Sequence, residues 1–506
     1  MSDALALWPR DRWNDALLEN AHPPAWRNPT PAARYDLVVL GGGTAGLVSA
    51  IVSAGVGARV ALVEKHLLGG DCLVYGCVPS KTLLRSARAA ADARSAARFG
   101  VRVAGGIEVD FPAVMERVRR VRAEISPHDS ARRYAELGVD VFLGEGRFTG
   151  RDALEVAGAR LRFKRAVVAT GARAAPPPIP GLADAGYLTN ETVFSLVERP
   201  ARLAVIGAGP VGCELAQAFQ RLGSQVTLLE VAPQVLIRED PDAAALVQAA
   251  LAADGVELVL GGKILNVARI GAGKRVRVAQ GTGERDVDVD EVLVGVGRAP
   301  NVEGLGLDAA GIAFDPARGV HVDDRLRTAN PRVYAAGDVC LPTKFTHAAD
   351  ASAKLVVRNA FFFGRRRAQD LLVPWCTYTD PEVAHVGLHA RDAAAQGIAL
   401  DTFEVPLGGN DRSRAEGEEA GFLKLHVKKG SDRIAGATVV GRNAGDLLAP
   451  LALAMANGVG LGRLVDLILP YPTQSELLKA AAGAYTRTRL TPFAARVLRG
   501  LIRLAR

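Results

Sequence analysis

The chain has 506 residues, a net charge of +8 and five cysteines. This length predicts about three domains at roughly 150 residues each, and the basic residues are spread among 54 acidic ones without a nucleic-acid-binding motif or an aromatic-interleaved basic patch. No stretch resembles a signal peptide or an apolar run of about 18 residues. We therefore expect a soluble cytoplasmic protein that does not bind nucleic acid.

The first recognisable unit is a strand, a glycine-rich turn and a helix. Residues 35–40 are predicted as a buried strand, and Gly41, Gly43 and Gly46 follow in a G-x-G-x-x-G turn. Such glycines let the backbone approach a pyrophosphate at a helix N-terminus. The next strand ends in Glu64, where a carboxylate binds the ribose hydroxyls of an adenosine. This unit predicts a dinucleotide site.

A cysteine pair comes directly after this unit. Four residues separate Cys72 from Cys77, and one turn of chain entering a helix brings two sulfurs within bridging distance. The following Val-Pro-Ser-Lys predicts a helix start, where exposed N–H groups and Lys81 would favour a thiolate. A structural disulfide is less favoured in a cytosolic chain with so few cysteines. The pair therefore predicts redox chemistry.

The glycine-rich unit occurs a second time. Gly207, Gly209 and Gly212 follow another predicted strand, and Glu230 stands at the same distance from the first glycine as the acid of the first unit does. A carboxylate at this place accepts the ribose hydroxyls of NAD and repels the phosphate of NADP. NADH is therefore favoured over NADPH, although Arg238 lies downstream and could reach a phosphate.

Two later segments complete a pattern. Residues 296–301 contain Gly-Arg and follow an apolar strand, and residues 333–338 are another strand that ends in Gly-Asp. Each by itself is an ordinary strand-to-loop junction. Together with the cysteine pair and both glycine fingerprints, they make the chain resemble the pyridine nucleotide-disulfide oxidoreductases over about residues 35–490. The resemblance implies an α/β fold with two Rossmann-like dinucleotide-binding domains, for FAD and NAD(P), and a C-terminal α+β dimerisation domain.

The resemblance also implies roles for individual residues. Lys81 would lie near the flavin ring, paired with Glu214. Cys77 would face the flavin, and Cys72 would contact the substrate. If the substrate is a metal ion, it would bind both sulfurs transiently. The implied FAD-binding residues are Gly41, Gly43, Gly46, Glu64, Lys81, Gly171 and Asp338, and those for NAD(P)H are Gly207, Gly209, Gly212, Glu230 and Gly297.

One motif near the C-terminus departs from the family's disulfide reductases. Those enzymes carry a His before Pro, supplied by the partner subunit as an acid–base group, with a Glu shortly after it. Here Tyr471 replaces that His and Glu476 is in place. A phenol titrates at about pH 10 and an imidazole at about 6.5, so Tyr471 is a poor proton shuttle at neutral pH. The resemblance implies a homodimer, since each site needs both residues from another chain.

The departure bears on the electron acceptor. Mercuric reductases within the family also carry Tyr at this position, and a second tyrosine of theirs matches Tyr134 of this chain. A soft divalent cation needs thiolates and an electron pair but no leaving-group proton. We therefore predict a flavoenzyme that passes electrons from NADH through FAD and the Cys72–Cys77 pair to Hg(II) or a similar soft metal ion.

Other features keep alternatives open. Mercuric reductases commonly carry a late vicinal cysteine pair and often an N-terminal Cys-x-x-Cys module, whereas no cysteine follows Cys376 and none occurs in residues 1–34. One alternative is a disulfide reductase similar to dihydrolipoamide dehydrogenase. Another, of a different class, is a redox-sensing protein that binds FAD and turns over little.

The motifs also predict where the domains divide. We expect an N-terminal extension at 1–34, an FAD domain at 35–178 that resumes at 300–366, an NAD(P) domain at 179–299, a dimerisation domain at 371–488 and a basic amphipathic tail at 489–506. In the tail, Arg496, Arg499, Arg503 and Arg506 recur at helical spacing. A neighbouring face is apolar and consists of Phe493, Val497, Leu501 and Leu504. Packing against its own domain is the favoured interpretation of the tail, and contact with an anionic membrane is the alternative.

Overall fold

The computed structural model describes residue 5 and residues 7–505. These form two compact units that interleave along the chain. The first unit comprises three segments, which are the chain up to Gly207, Ala218–Val231 and Glu257–Leu371. The second comprises Ala208–Gln217, Ala232–Val256 and the chain from Leu372 onward. The predicted α/β class is confirmed, with parallel sheets in the first unit and an antiparallel sheet in the second.

A mixed sheet organises the first dinucleotide-binding region. Its strands run in the spatial order β3-β2-β1-β6-β5-β4, and β1 pairs in parallel with both β2 and β6. β1 and β2 are buried almost throughout, as a parallel sheet covered on both faces requires. In chain order the elements are α1 (Arg12–Ala21), β1 (Tyr35–Leu40), α2 (Thr44–Gly55), β2 (Val60–Glu64), α3 (Gly70–Val74), α4 (Cys77–Ser95), α5 (Phe111–Ile125), α6 (Ala131–Glu136), β3 (Val139–Leu143), β4 (Gly146–Gly150), β5 (Ala153–Val156), β6 (Ala159–Val168), β7 (Ala172–Ala174) and α7 (Leu182–Ala185).

A second parallel sheet follows, with the order β10-β9-β8-β14. After it the chain returns to the first sheet, where β18 pairs in parallel with β6. The elements are β8 (Arg202–Ile206), α8 (Pro210–Arg221), β9 (Gln225–Glu230), α9 (Pro241–Ala253), β10 (Glu257–Leu260), β11 (Lys263–Ile270), β12 (Gly273–Gln280), β13 (Gly283–Val289), β14 (Glu291–Val294), β15 (Arg298–Pro300), β16 (Phe314–Asp315), β17 (Gly319–Val320), β18 (Val333–Ala335) and α10 (Thr346–Phe361).

An antiparallel sheet with the order β19-β20-β23-β22-β21 forms the centre of the C-terminal region. Apolar side chains from this sheet and from two helices, among them Leu425, Val439, Leu451 and Leu477, make one buried cluster. The elements are β19 (Trp375–Thr377), β20 (Glu382–Gly387), α11 (Ala390–Ala395), β21 (Leu400–Pro406), α12 (Asp411–Ala415), β22 (Phe422–Lys428), β23 (Ile434–Gly441), α13 (Ala444–Ala456), α14 (Glu476–Arg489) and α15 (Pro492–Leu504).

The C-terminal tail differs from the favoured expectation. Thr491 caps α15 by accepting a hydrogen bond from the N–H of Ala494, and Pro492 occupies the first turn. None of the residues of α15, all of which the structure describes, is buried. The prediction that the tail packs against its own domain is therefore wrong. Among the described residues, no helix is long and apolar enough to cross a membrane.

Candidate functional site

Four neighbouring parallel strands of the first sheet end at one edge, in the order β2-β1-β6-β18. The glycine-rich turn at Gly41 follows β1, Glu64 ends β2, Gly171 follows β6, and Asp338 follows β18. Ligands of open α/β sheets bind beyond the carboxyl ends of such strands. The residues expected to hold FAD, distant in sequence, are thus brought to one edge.

The turn after β1 has no room for a side chain at Gly41 or at Gly46. Gly41 has φ +110°, and a Cβ there would lie 2.4 Å from the carbonyl oxygen of Ala169. A Cβ on Gly46 would lie 1.7 Å from the carbonyl oxygen of Gly41. Gly43 caps α2 with no side chain and leaves the N-terminus of that helix open. This cradle fits a pyrophosphate, which helix N-termini favour.

Carboxylates stand on both sides of this turn. Glu64 accepts hydrogen bonds from the N–H groups of Gly42 (2.5 Å) and His66 (2.6 Å), so its position beside the glycines is fixed. The other lone pairs of its oxygens suit ribose hydroxyls. Asp338 is partly buried, and burial raises the pKa of its carboxyl group. The residues present therefore fit FAD.

The second sheet repeats the arrangement. Gly207 follows β8, Glu230 ends β9 and Gly297 follows β14, so all three lie at the carboxyl ends of adjacent parallel strands. Gly207 has φ +99°, and a Cβ there would lie 1.9 Å from Cγ1 of Val296. Gly209 and Gly212 continue the turn into α8. This edge fits a second dinucleotide.

The cysteine pair lies in the first unit, at the junction of two helices. Cys72 is in α3 and is half-buried, whereas Cys77 is the first residue of α4 and is exposed. Both are unbridged, and their thiols are within hydrogen-bonding distance of each other. The hydroxyl of Thr346, at the start of α10, lies 3.2 Å from the sulfur of Cys77. The structure therefore brings together the two predicted sulfurs and a hydroxyl from a distant segment.

The two thiols differ in acidity. The hydrogen bond from Cys72, opposed by burial but assisted by the Thr346 hydroxyl and the Lys81 ammonium, lowers the pKa of Cys77 to about 6. The same hydrogen bond and burial raise the pKa of Cys72 far above its ordinary value. The position of Cys77 at a helix N-terminus also favours a thiolate. One sulfur is thus held ionised at neutral pH while the other keeps its proton.

A carboxylate beside Cys72 fixes the short helix α3. Asp71 accepts a hydrogen bond from the guanidinium of Arg298 (2.7 Å) and another from the side-chain amide of Asn190 (3.1 Å). Arg298 also lies 3.8 Å from Asp338. A guanidinium thus links the redox loop to the acid after β18. Sequence reasoning missed Asp71 and Arg298, although both adjoin predicted motifs.

A buried network supports the same loop from the other side. Arg122, in α5, donates to the carbonyl oxygen of Val74 (2.9 Å) and to the side-chain oxygen of Asn14 (3.0 Å) in α1. Arg122 and Asn14 are both only 2 % exposed. The N-terminal helix is thereby connected to the last residue of α3. No sequence signal pointed to this role.

The structure places the two predicted tyrosines in different surroundings. Tyr134 is buried in α6, and burial together with the Asp129 carboxylate raises its pKa to about 12. Asp129 also acts on the Cys72 thiol, so Tyr134 and Cys72 share a charged neighbour. Tyr471 is 71 % exposed and donates a hydrogen bond to Asp411 (2.9 Å), which raises the pKa of the phenol.

The remaining predicted residues, Glu214 and Glu476, lie in the second unit. Glu214 is buried in α8 and accepts a hydrogen bond from the N–H of Tyr378 (2.9 Å); its pairing with Lys81 stays a prediction. Glu476 begins α14 and lies 3.4 Å from the N–H of Thr473. The placement of Tyr471 and Glu476 in the site of a second subunit also stays a prediction.

Two sheet edges fit dinucleotides, and an acidic thiol lies beside the first of them. Together they define a flavin-dependent oxidoreductase with a redox-active cysteine pair. Residues 35–354 match the family model for pyridine nucleotide-disulphide oxidoreductases, and residues 373–482 match the model for the dimerisation domain of that family. The chain belongs to the pyridine nucleotide-disulphide oxidoreductase family. Its members are FAD-dependent enzymes that bind NAD(P).

The chain is similar to family members that are named for different activities. The chain is 34% identical to a mercuric reductase from Lysinibacillus sphaericus, over 90% of this chain and 83% of the relative. It is also 34% identical to a dihydrolipoyl dehydrogenase from Thermus scotoductus, over 89% and 97%. Among solved structures it is similar to LpdA from Mycobacterium tuberculosis (28% identity, TM-score 0.81, 89% and 99% covered). The Cu(II) complex of the HOCl-induced flavoprotein disulfide reductase RclA from Escherichia coli is similar as well (28%, TM-score 0.78, 88% and 98%).

The acidity of Cys77 predicts how the reduced enzyme reacts with an alkylating agent. Only the thiolate reacts, so the rate of Cys77 alkylation by iodoacetamide should rise with pH through a midpoint of about 6. Thr346→Val removes a hydroxyl that stabilises the thiolate, and its midpoint should be higher by about half a pH unit. Mass spectrometry of the labelled peptides measures both midpoints.

Ser80→Ala is the matched control for this experiment. The Ser80 hydroxyl is on the same helix but bonds to the backbone oxygen of Cys77 (3.3 Å) and not to its sulfur, so the midpoint should not move. A wild-type midpoint of about 8.5, the ordinary value of a cysteine, would contradict the assigned acidity.

Proposed function

We propose that this enzyme transfers two electrons from NADH to Hg(II) or a similar soft metal ion through the Cys72–Cys77 pair. The observation that carries the proposal is Tyr471, a phenol whose pKa is raised by its hydrogen bond to Asp411. A phenol with a raised pKa neither accepts nor releases a proton readily at neutral pH. A metal ion is an acceptor that needs no such proton relay.

The chemistry of the cysteine pair also suits a metal acceptor, independently of Tyr471. Soft cations prefer thiolate ligands, and Cys77 is ionised above a pKa of about 6. Cys72 releases its proton when its sulfur binds the metal, because metal binding displaces protons from thiols. The buried Tyr134 adds a neutral hydroxyl, since its pKa is raised to about 12. The site thus offers two sulfur ligands and a neutral phenol.

The electrons and protons of the proposed reaction balance. Bound FAD would supply the chemistry by which a hydride of NADH becomes two electrons for the cysteine pair. These electrons break the sulfur–sulfur bond to give the reduced pair. When the bond forms again, two electrons reduce Hg(II) to Hg(0), so that NADH and Hg(II) give NAD⁺, one proton and Hg(0). Cys72 would be the sulfur that receives the metal.

Relatives support this assignment of substrate. Several curated relatives that are 33% to 36% identical are named mercuric reductases, and one similar solved structure is a Cu(II) complex. Another relative is a dihydrolipoyl dehydrogenase, which keeps a disulfide substrate as the second candidate. The match to the family's dimerisation domain supports a homodimer in which Tyr471 and Glu476 serve the site of the partner subunit.

The central prediction concerns turnover with the metal. Purified holoenzyme should oxidise NADH anaerobically when thiol-complexed Hg(II) is added, and Cys72→Ser should lower kcat/KM for Hg(II) by about 100-fold or more because the electron path is broken. Cys376→Ser, outside the redox pair, should leave the rate unchanged. NADH absorbance and released Hg(0) are both measured.

Contrary outcomes of this assay point to the other candidates. Turnover of Hg(II) no faster than in Cys72→Ser would overturn the metal substrate. Rapid reduction of the enzyme by dihydrolipoamide would then favour a disulfide reductase. If NADH itself reduced the enzyme only slowly, a redox-sensing protein would be favoured.

Changing Tyr471 to histidine separates the metal and disulfide chemistries. Tyr471→His supplies a group that titrates at about pH 6.5, so lipoamide reduction should increase by about tenfold or more. The Hg(II) rate should change by less than about threefold, because the metal reaction needs no leaving-group proton. Tyr471→Phe serves as the control without a titratable group. Equal loss of both activities in the histidine variant would contradict the role assigned to this residue.

The position of Glu230 at the end of β9 supports NADH as the donor. Its carboxylate would accept the ribose hydroxyls of NADH and repel the phosphate of NADPH. Glu230→Ala should therefore lower kcat/KM for NADH by about tenfold and raise or leave unchanged that for NADPH. Steady-state kinetics with both donors measure the ratio. A wild-type preference for NADPH would contradict this assignment.

A further inference from the structure

The C-terminal end of the chain holds most of its excess positive charge. Residues 477–506 contain seven basic residues and no acidic residue, whereas the whole chain has a net charge of +8. The remainder is therefore close to neutral. A charge excess confined to one end indicates an anionic binding partner for that end.

The helix α15 separates this charge from its apolar residues. Successive residues of a helix are about 100° apart, so Arg496, Arg499 and Arg503 form one narrow stripe. The apolar face lies on the other side and is broad. It is formed by Phe493, Val497, Leu498, Leu501, Ile502 and Leu504.

The apolar face of α15 is open to solvent. Phe493 is 73 % exposed, Leu501 56 % and Leu504 85 %, and no residue of this fully described helix is buried. A contiguous apolar face of this kind on a soluble protein marks a binding surface. The Thr491 cap and Pro492 in the first turn stabilise the helix locally.

We propose that α15 binds the surface of anionic phospholipid bilayers and so holds the enzyme at the membrane. The apolar face would enter the boundary between headgroups and acyl chains, and the arginine stripe would contact lipid phosphates. The helix is too short and too charged to span a bilayer, so it would lie in the plane of the interface. Charge complementarity selects this partner, because residues 477–506 carry seven basic residues and no acidic residue and so match an anionic surface.

Vesicle binding of the full-length holoenzyme tests the proposal. Protein is sedimented with vesicles of phosphatidylcholine alone or with about 30% phosphatidylglycerol. We expect binding only to the anionic vesicles, and its loss when NaCl is raised to about 0.5 M, which screens the charges. Leu501→Asp should weaken binding by about tenfold or more, because a charge replaces an apolar side chain at the interface.

A matched control distinguishes this face from general apolar exposure. Val101 is as exposed as Leu501, at 56 %, but lies in the first unit, so Val101→Asp should bind vesicles as the wild type does. Both variants should oxidise NADH at the wild-type rate, which shows that they are folded. Arg499→Glu should weaken binding to anionic vesicles by about tenfold or more.

Three results would overturn the proposal. The first is no binding to anionic vesicles, and the second is equal binding by Leu501→Asp and wild type. The third is a change of oligomeric state in Leu501→Asp, measured by sedimentation velocity, because the apolar face would then be covered by a second copy of the chain. None of these results depends on the electron acceptor, so the proposed reduction of metal ions is tested separately.

Discussion

The electrochemistry of this enzyme depends on one hydrogen bond, between the thiols of Cys72 and Cys77. That contact lowers the pKa of Cys77 to about 6 and raises the pKa of Cys72, so a thiolate and a thiol coexist at neutral pH. It survives only if α3 and the start of α4 keep their places. Arg298 holds Asp71 on one side of the loop, and Arg122 holds the carbonyl of Val74 on the other.

The contacts of Arg298 also hold the cysteine pair beside the edge of the first sheet that fits a dinucleotide. Glu64, the glycine turn, Gly171 and Asp338 lie at the ends of adjacent parallel strands because the chain returns to pair β18 with β6. Arg298 lies near both Asp71 and Asp338 and so connects the thiol loop with that edge. One sheet and a few charged contacts thus bring the predicted FAD-binding residues and the cysteine pair together.

The proposed electron acceptor depends on other residues than the cysteine loop does. In the proposed reaction two phenols with raised pKa values accompany the cysteine pair, Tyr471 because it donates a hydrogen bond to Asp411 and Tyr134 because it is buried. Neither phenol would act as the imidazole of a disulfide reductase does, and the proposed metal acceptor needs no such group. The open amphipathic helix α15 adds a separate property, a surface whose charge and apolar face fit an anionic bilayer.

The sequence by itself determined the α/β class, the family and both nucleotide turns, because glycines and strand-terminal acids act through local backbone geometry. It also placed the cysteine pair. Only the tertiary structure decided that Thr346, Arg298, Arg122 and Asn14 surround the redox loop, since these residues come from segments far apart in the chain. It also decided that α15 lies exposed, because amphipathic spacing is the same whether the apolar face meets protein or solvent.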